Sequence, residues 1–121
     1  MLGGALEEAV AIVDQLDAAG VPLYALSNWA RETFPIARAR FPFLARFRGI
    51  VVSGEERVAK PDPRIYRILL DRYRLEPAGC LFIDDVAGNV EGARAAGMQA
   101  VLYTSPAELR RELAARSILA S

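Results

Sequence analysis

Apolar positions along this chain alternate between two rhythms. Leu6, Val10, Val13 and Leu16, with Ala9 between them, recur at helical spacing, and Gly20 supplies a stop. Val21 to Leu26 is a short apolar run with Pro22 at its edge, the length of a buried strand. Ala30 to Phe41 is a mixed segment, read as a helix that opens near Arg31 and is disturbed by Pro35. Gly49 to Ser53, carrying Ile50, Val51 and Val52, predicts a second buried strand. Asp62-Pro63 is an N-cap with proline at the first helical position, and Ile65, Ile68, Leu69 and Tyr73 share one face of the helix it opens. Cys80 to Ile83 predicts a third strand, Asn89 to Ala96 a short helix closed by Gly97, and Ala100 to Tyr103 a fourth strand. Ser105-Pro106-Ala107-Glu108 is a capping box that starts a last helix through Leu109 and Leu113.

Strands that are apolar throughout and separated by helices indicate a parallel sheet covered on both faces, a three-layer α/β architecture. The 121 residues suit one domain with one core, spanning residues 1–121. The chain shows no internal repeat, linker or low-complexity segment.

Composition narrows the chemistry. Net charge is zero, so bulk electrostatics favour neither nucleic acid nor a membrane surface as partner. No apolar stretch approaches the roughly 20 residues of a membrane span. Glu7 and Glu8 stand where a signal peptide would carry basic residues. The single cysteine, Cys80, allows no internal disulfide and suits a reducing, cytoplasmic setting, where it reads as a core residue. Histidine is absent, which removes imidazole general bases, serine–histidine triads and histidine metal sites together. Carboxylates, hydroxyls, amides, arginine and lysine are left. Of the fifteen basic residues fourteen are arginine, and the one lysine is Lys60. A lysine is a compact point charge suited to an oxyanion, where arginine is a rigid fork.

In a parallel α/β sheet, ligands bind at the carboxyl ends of the strands. Three polar clusters fall there: Ser27-Asn28 after the first strand, Lys60 on the loop after the second, and Asp84-Asp85 after the third. Each has a plainer reading. Ser27-Asn28 also suits a side-chain-capped turn, Lys60-Pro61 a solvated loop, and Asp85 an N-cap. Two adjacent carboxylates at a buried strand end repel, and a divalent cation such as Mg²⁺, which takes hard oxygen ligands, relieves that repulsion. Together the clusters would hold anionic oxygens, neutralise them and bind a metal, which is equipment for phosphoryl transfer. Trp29 either lines a substrate entrance or covers the sheet. Arg38, Arg40, Arg46 and Arg48 among Phe41, Phe43 and Phe47 read as a solvated edge rather than an RNA surface, given the zero net charge.

Leu26-Ser27-Asn28, Lys60-Pro61-Asp62-Pro63-Arg64-Ile65-Tyr66, and Phe82-Ile83-Asp84-Asp85 with Asn89-Val90-Glu91-Gly92-Ala93 resemble, in order, the second, third and fourth motifs of the haloacid dehalogenase (HAD) superfamily of hydrolases. The resemblance runs from about Gly4 to Tyr103 and is nearest to the superfamily's small-molecule phosphatases. It implies a Rossmann-like fold and a small phosphorylated metabolite as substrate. It also implies a phosphoryl-binding hydroxyl at Ser27 with Asn28 beside it, and a charge-stabilising lysine at Lys60. Mg²⁺ would be held directly by Asp85 with Asp84 in support, and Asn89 would anchor the lysine or a metal-bound water.

One departure carries as much weight. The family's first motif, an aspartate nucleophile in Asp-x-Asp at the end of an N-terminal strand, has no match; Asp14-Gln15-Leu16-Asp17 has the wrong spacing and sits in a helix pattern. The mobile cap that follows that motif is likewise unmatched. The resemblance therefore implies an N-terminally truncated core: four parallel strands with the central one missing. The two inner strands then close up, or an upstream segment or second chain fills the gap, or apolar edges stay open. A phosphatase lacking its nucleophile and a catalytically inactive phosphate- and Mg²⁺-binding module or gene fragment both fit this sequence. A 2-haloacid dehalogenase, which needs no metal, is disfavoured by Asp84-Asp85.

Overall fold

The computed structural model describes residues 3–27 and 46–119. Helix α1 (Gly3–Ala18) ends in a Schellman turn. Gly20 adopts φ +80°, and the Gly20 and Val21 amides donate to the Asp17 and Leu16 carbonyls, each at 3.0 Å. Strand β1 (Tyr24–Ser27) begins three residues later than the apolar run suggests. Pro22, which has no amide to give a ladder, lies in that lead-in. Strand β2 (Gly49–Val52) runs parallel to β1, with Tyr24 opposite Gly49 and Ser27 opposite Val52. Ser53, expected to end that strand, instead opens a four-residue helix α2 (Ser53–Glu56).

Helix α3 (Pro63–Arg72) starts as its sequence dictates: an Asp62 carboxylate oxygen accepts from the Arg64 amide at 2.9 Å, and Pro63 occupies the first turn. Its buried face is Ile65, Tyr66, Leu69 and Leu70, rotated from the expected one; Ile68 and Tyr73 are only half-buried. A short 3₁₀ turn (Pro77–Gly79) leads into β3 (Leu81–Asp84), one residue longer than expected at its carboxyl end. Helix α4 (Ala87–Ala95) starts two residues before Asn89 and stops in a second Schellman turn at Gly97, φ +93°. Strand β4 (Gln99–Leu102) pairs parallel with β3. Helix α5 (Pro106–Ala115) is capped by Ser105, whose hydroxyl accepts from the Glu108 amide at 3.1 Å. The helix expected over Ala30 to Phe41, together with Trp29, Arg38, Arg40, Phe41 and Phe43, lies outside the described residues.

All four strands are parallel to their partners, but they form two ladders, β1–β2 and β3–β4. Among the described residues β1 and β3 do not pair, so the two inner strands have not closed up. Side chains bridge what the backbone does not. On one face Tyr24, Leu26 and Val51 join Phe82 and Ala100 beneath Ile65, Tyr66, Leu69 and Leu70 of α3 and Val90 and Ala93 of α4. On the other, Ile12 and Leu16 of α1 and Leu109 and Leu113 of α5 cover Leu23, Leu81, Ile83 and Val101. The strict alternation of Leu81, Phe82 and Ile83 between these clusters is the period-two pattern of a strand buried on both faces. Full burial of side chains such as Ile65 and Leu113, each 1% exposed, contributes about 2 kcal/mol apiece. Helices on both faces of parallel strands make the three-layer α/β architecture anticipated from the sequence, and its incomplete sheet is visible as the divided ladders. No helix among the described residues is long and apolar enough to cross a membrane.

Candidate functional site

Asp84 ends β3 on the same face as Phe82, two residues before it. Its side chain is 7% exposed, and both oxygens are engaged. Oδ2 accepts from Lys60 Nζ at 2.6 Å and from Asn89 Nδ2 at 3.2 Å, and Oδ1 accepts from the Val86 amide at 2.9 Å. Burial alone would raise this carboxyl's pKa. The Lys60 ammonium, the Val86 amide and the Asn89 amide outweigh burial and hold it below the ordinary aspartate value.

Lys60 reaches Asp84 from a turn between α2 and α3. The Asp62 amide closes that turn on the Ala59 carbonyl at 2.9 Å, and the Lys60–Pro61 peptide bond is cis. The lysine side chain is 12% exposed, and its Nζ lies 5.8 Å from the Phe82 ring centroid, where the ring's negative face favours a cation. Its stem is covered while its charge is met by a carboxylate and a ring, so the ammonium is held in place rather than sampling solvent. Asn89, in the first turn of α4, is 6% exposed and is the one buried polar side chain of the described core. Among the described residues no buried side-chain polar atom lacks a partner.

The structure thus brings Lys60, Asp84 and Asn89 together at the carboxyl end of β3. Asp85, the next residue, is exposed, so the two aspartates occupy different environments. Ser27 ends β1, at the same end of its ladder, opposite Val52; its hydroxyl and the whole of Asn28 lie outside what is described. For Mg²⁺ the donor set is sparse. No group of three or more acidic or cysteine side chains is gathered among the described residues. Asp84 has spent its oxygens on protein donors, which leaves Asp85 as the open carboxylate. That fits an ion held chiefly by water and a phosphate, the manner in which Mg²⁺ commonly binds.

Tyr66 is a participant the hydrophobic pattern did not single out. It is fully buried, and its hydroxyl donates to the Asn89 carbonyl at 2.8 Å. The signal was its place beside Ile65 in the first turn of a helix whose buried stripe is one residue wider than a strict heptad face.

Comparison with known proteins identifies the family of the chain. The family model for haloacid dehalogenase-like hydrolases matches residues 3–97. The chain is 31% identical over 112 residues to hexitol phosphatase A of Escherichia coli (strain K12), covering 88% of this chain and 49% of that protein. It is 46% identical over 52 residues to phosphatase MT3486 of Mycobacterium tuberculosis (strain CDC 1551 / Oshkosh), covering 43% of this chain and 24% of that one. The chain spans less than half the length of these curated relatives. In three dimensions it is similar to a haloacid dehalogenase family enzyme of Bacteroides thetaiotaomicron solved with magnesium and inorganic phosphate. The TM-score is 0.70 at 23% identity, covering 78% of this chain and 52% of that one, a likeness of fold. With three motif clusters in order and a family model spanning most of its length, the chain belongs to the haloacid dehalogenase-like hydrolases.

Proposed function

We propose that these residues form the charge-stabilising part of a Mg²⁺-dependent phosphatase site acting on small phosphorylated metabolites in the cytoplasm. The observation that carries this reading is the part-buried Lys60–Asp84 pair, 2.6 Å apart at the carboxyl end of β3. A lysine fixed at such a point presents a positive charge where a phosphoryl group would sit, and phosphoryl transfer depends mainly on positioned charge. Two phosphatases among the curated relatives, and magnesium with phosphate in a structural neighbour, point the same way.

The roles of Lys60, Asp84, Asn89 and Asp85 are read from their environment, and those of Ser27 and Asn28 from the motif resemblance alone. Lys60 neutralises the phosphoryl oxygens, the Ser27 hydroxyl and Asn28 hold them, and Asp84 with Asn89 keeps Lys60 in place. Asp85 is the carboxylate open to Mg²⁺, which when bound would neutralise phosphate charge. The attacking group is what these 121 residues lack: no Asp-x-Asp occurs in them. That observation also favours a second reading, a binding module without turnover. The two share the same charged cluster and differ in whether a further strand, from an N-terminal extension or a second chain, supplies the nucleophile.

The test is phosphate release from a panel of small phosphate esters with Mg²⁺. The 121-residue chain should bind inorganic phosphate weakly, by ³¹P line broadening that Lys60→Ala removes, and show negligible turnover. A version extended at its N-terminus by an apolar strand ending in Asp-x-Asp should turn over, and Lys60→Ala or Asp85→Ala should abolish that. Robust turnover by the unextended chain, lost on substituting Asp84 or Asp85, would overturn the assignment and require another nucleophile.

A further inference from the structure

The groups that touch Lys60 and Asp84 are themselves held by one buried side chain. Tyr66 is 0% exposed, and its hydroxyl donates to the Asn89 carbonyl at 2.8 Å, on the same residue whose side-chain amide donates to Asp84. Its ring meets Phe82 edge-on, with centroids 5.6 Å apart and planes at 78°, and Phe82 is the ring beside the Lys60 ammonium. The third contact is at Gly92. A Cβ there would fall 2.8 Å from the Tyr66 hydroxyl oxygen, 2.9 Å from Tyr66 Cε2 and 3.1 Å from the Pro61 carbonyl oxygen. A helix interior is a costly place for glycine. Here its missing side chain is the space in which α4 meets both the tyrosine and the turn that carries Lys60.

A phenylalanine would fill the same volume at position 66. The hydroxyl brings a desolvation cost and returns one hydrogen bond, so its net effect on stability is small. What it adds is direction, since it ties a helical carbonyl to a rigid ring at a fixed distance. We propose that Tyr66 is a positioning residue for the Lys60–Asp84 pair, fixing the first turn of α4 through the Asn89 carbonyl in a packing for which Gly92 leaves room. The proposal takes from the functional reading above only that the Lys60 ammonium is the working group.

Because Lys60 is the only lysine, a chain carrying ¹⁵Nζ-lysine gives a single side-chain ammonium signal. An ammonium held in a largely covered ion pair exchanges slowly enough to be seen in a proton–nitrogen correlation spectrum at low temperature. The wild-type protein and Leu113→Val, a core change in the opposite helical layer, should both show the signal. Tyr66→Phe should shift it and raise its exchange rate about fivefold, the factor expected for one lost buried hydrogen bond. Gly92→Ala, which pushes against the same tyrosine and the Pro61 carbonyl, should do the same and decides the matter if Tyr66→Phe does not fold. A folded Tyr66→Phe protein with an unchanged signal would overturn the proposal, as would equal disturbance by Leu113→Val. Neither result depends on phosphate turnover, so failure of the phosphatase reading would leave this test intact.

Discussion

Replacing Lys60 with methionine keeps an unbranched stem against Phe82 and removes the charge that faces Asp84. The carboxylate, 7% exposed, is then buried without its cation. Removing one partner of a fully buried pair typically costs about 3–5 kcal/mol, but this pair is part-buried and the Val86 amide and Asn89 still donate to the carboxylate, so about 2–3 kcal/mol is expected at pH 7. Protonation sets a ceiling: taking up a proton at pH 7, starting from an unfolded-state pKa near 3.9, costs about 4 kcal/mol. That ceiling makes the penalty depend on pH. In the wild-type protein the Asp84 pKa is lowered, so its stabilisation is present above the unfolded value and is lost as pH falls through the folded one. In Lys60→Met, burial without the ammonium pushes the same pKa up, so stability is lost as pH rises above about 3.9. The two proteins should therefore differ by about 2–3 kcal/mol at pH 7 and by less than about 1 kcal/mol at pH 4. Urea unfolding followed by far-ultraviolet circular dichroism at both pH values measures this. An equal difference at pH 4 and pH 7 would refute the reasoning, because the loss would then be one of packing and not of charge.

Two further outcomes follow from the packing. Gly49→Ala should destabilise by about 1–3 kcal/mol, because its Cβ would fall 2.1–2.4 Å from atoms of the Tyr73 ring and drive that ring off Tyr24, 5.0 Å away; the urea midpoint measures it and the near-ultraviolet dichroism of the tyrosines should fall with it. Burial, and secondarily the charge of Asp84, pushes the Tyr66 hydroxyl up to about 12, so above pH 10 the unfolded chain loses this proton first; wild-type stability should then fall by about 1 kcal/mol per pH unit toward pH 12, and Tyr66→Phe should lack that component in urea titrations at pH 9 and 11.

The parts of this fold that could be read from the sequence are those decided by local chemistry. Asp62-Pro63 and Ser105-Pro106 start helices because a side-chain oxygen meets an orphan amide and proline needs no donor, whatever surrounds them. The four strands were visible as apolar runs. Their ends were not, because Pro22 delays one, and Ser53, with no apolar partner to continue the run, turns into a helix. The polar residues at the site were visible as types out of place: a lone lysine, and paired carboxylates after Phe82-Ile83. Their allocation was less visible. That Asp84 is spent on Lys60, Asn89 and an amide while Asp85 stays exposed depends on how a turn 24 residues away folds back. Tyr66 escaped because an aromatic on a helix's buried face looks like core until its hydroxyl is followed to a carbonyl 23 residues on.

The division of the strands into two ladders has a mechanical meaning. Backbone hydrogen bonds lock β1 to β2 and β3 to β4, but across the seam between the ladders the described contacts are side-chain ones. Lys60 follows the first ladder and Asp84 ends the second. Their bond is therefore a gauge laid across the seam: a slide of one half past the other by a fraction of a strand spacing lengthens it and leaves each ladder's own register untouched. A segment that stiffened the seam would sharpen the charge site without touching either residue, and one that loosened it would blunt the site while both halves stayed folded.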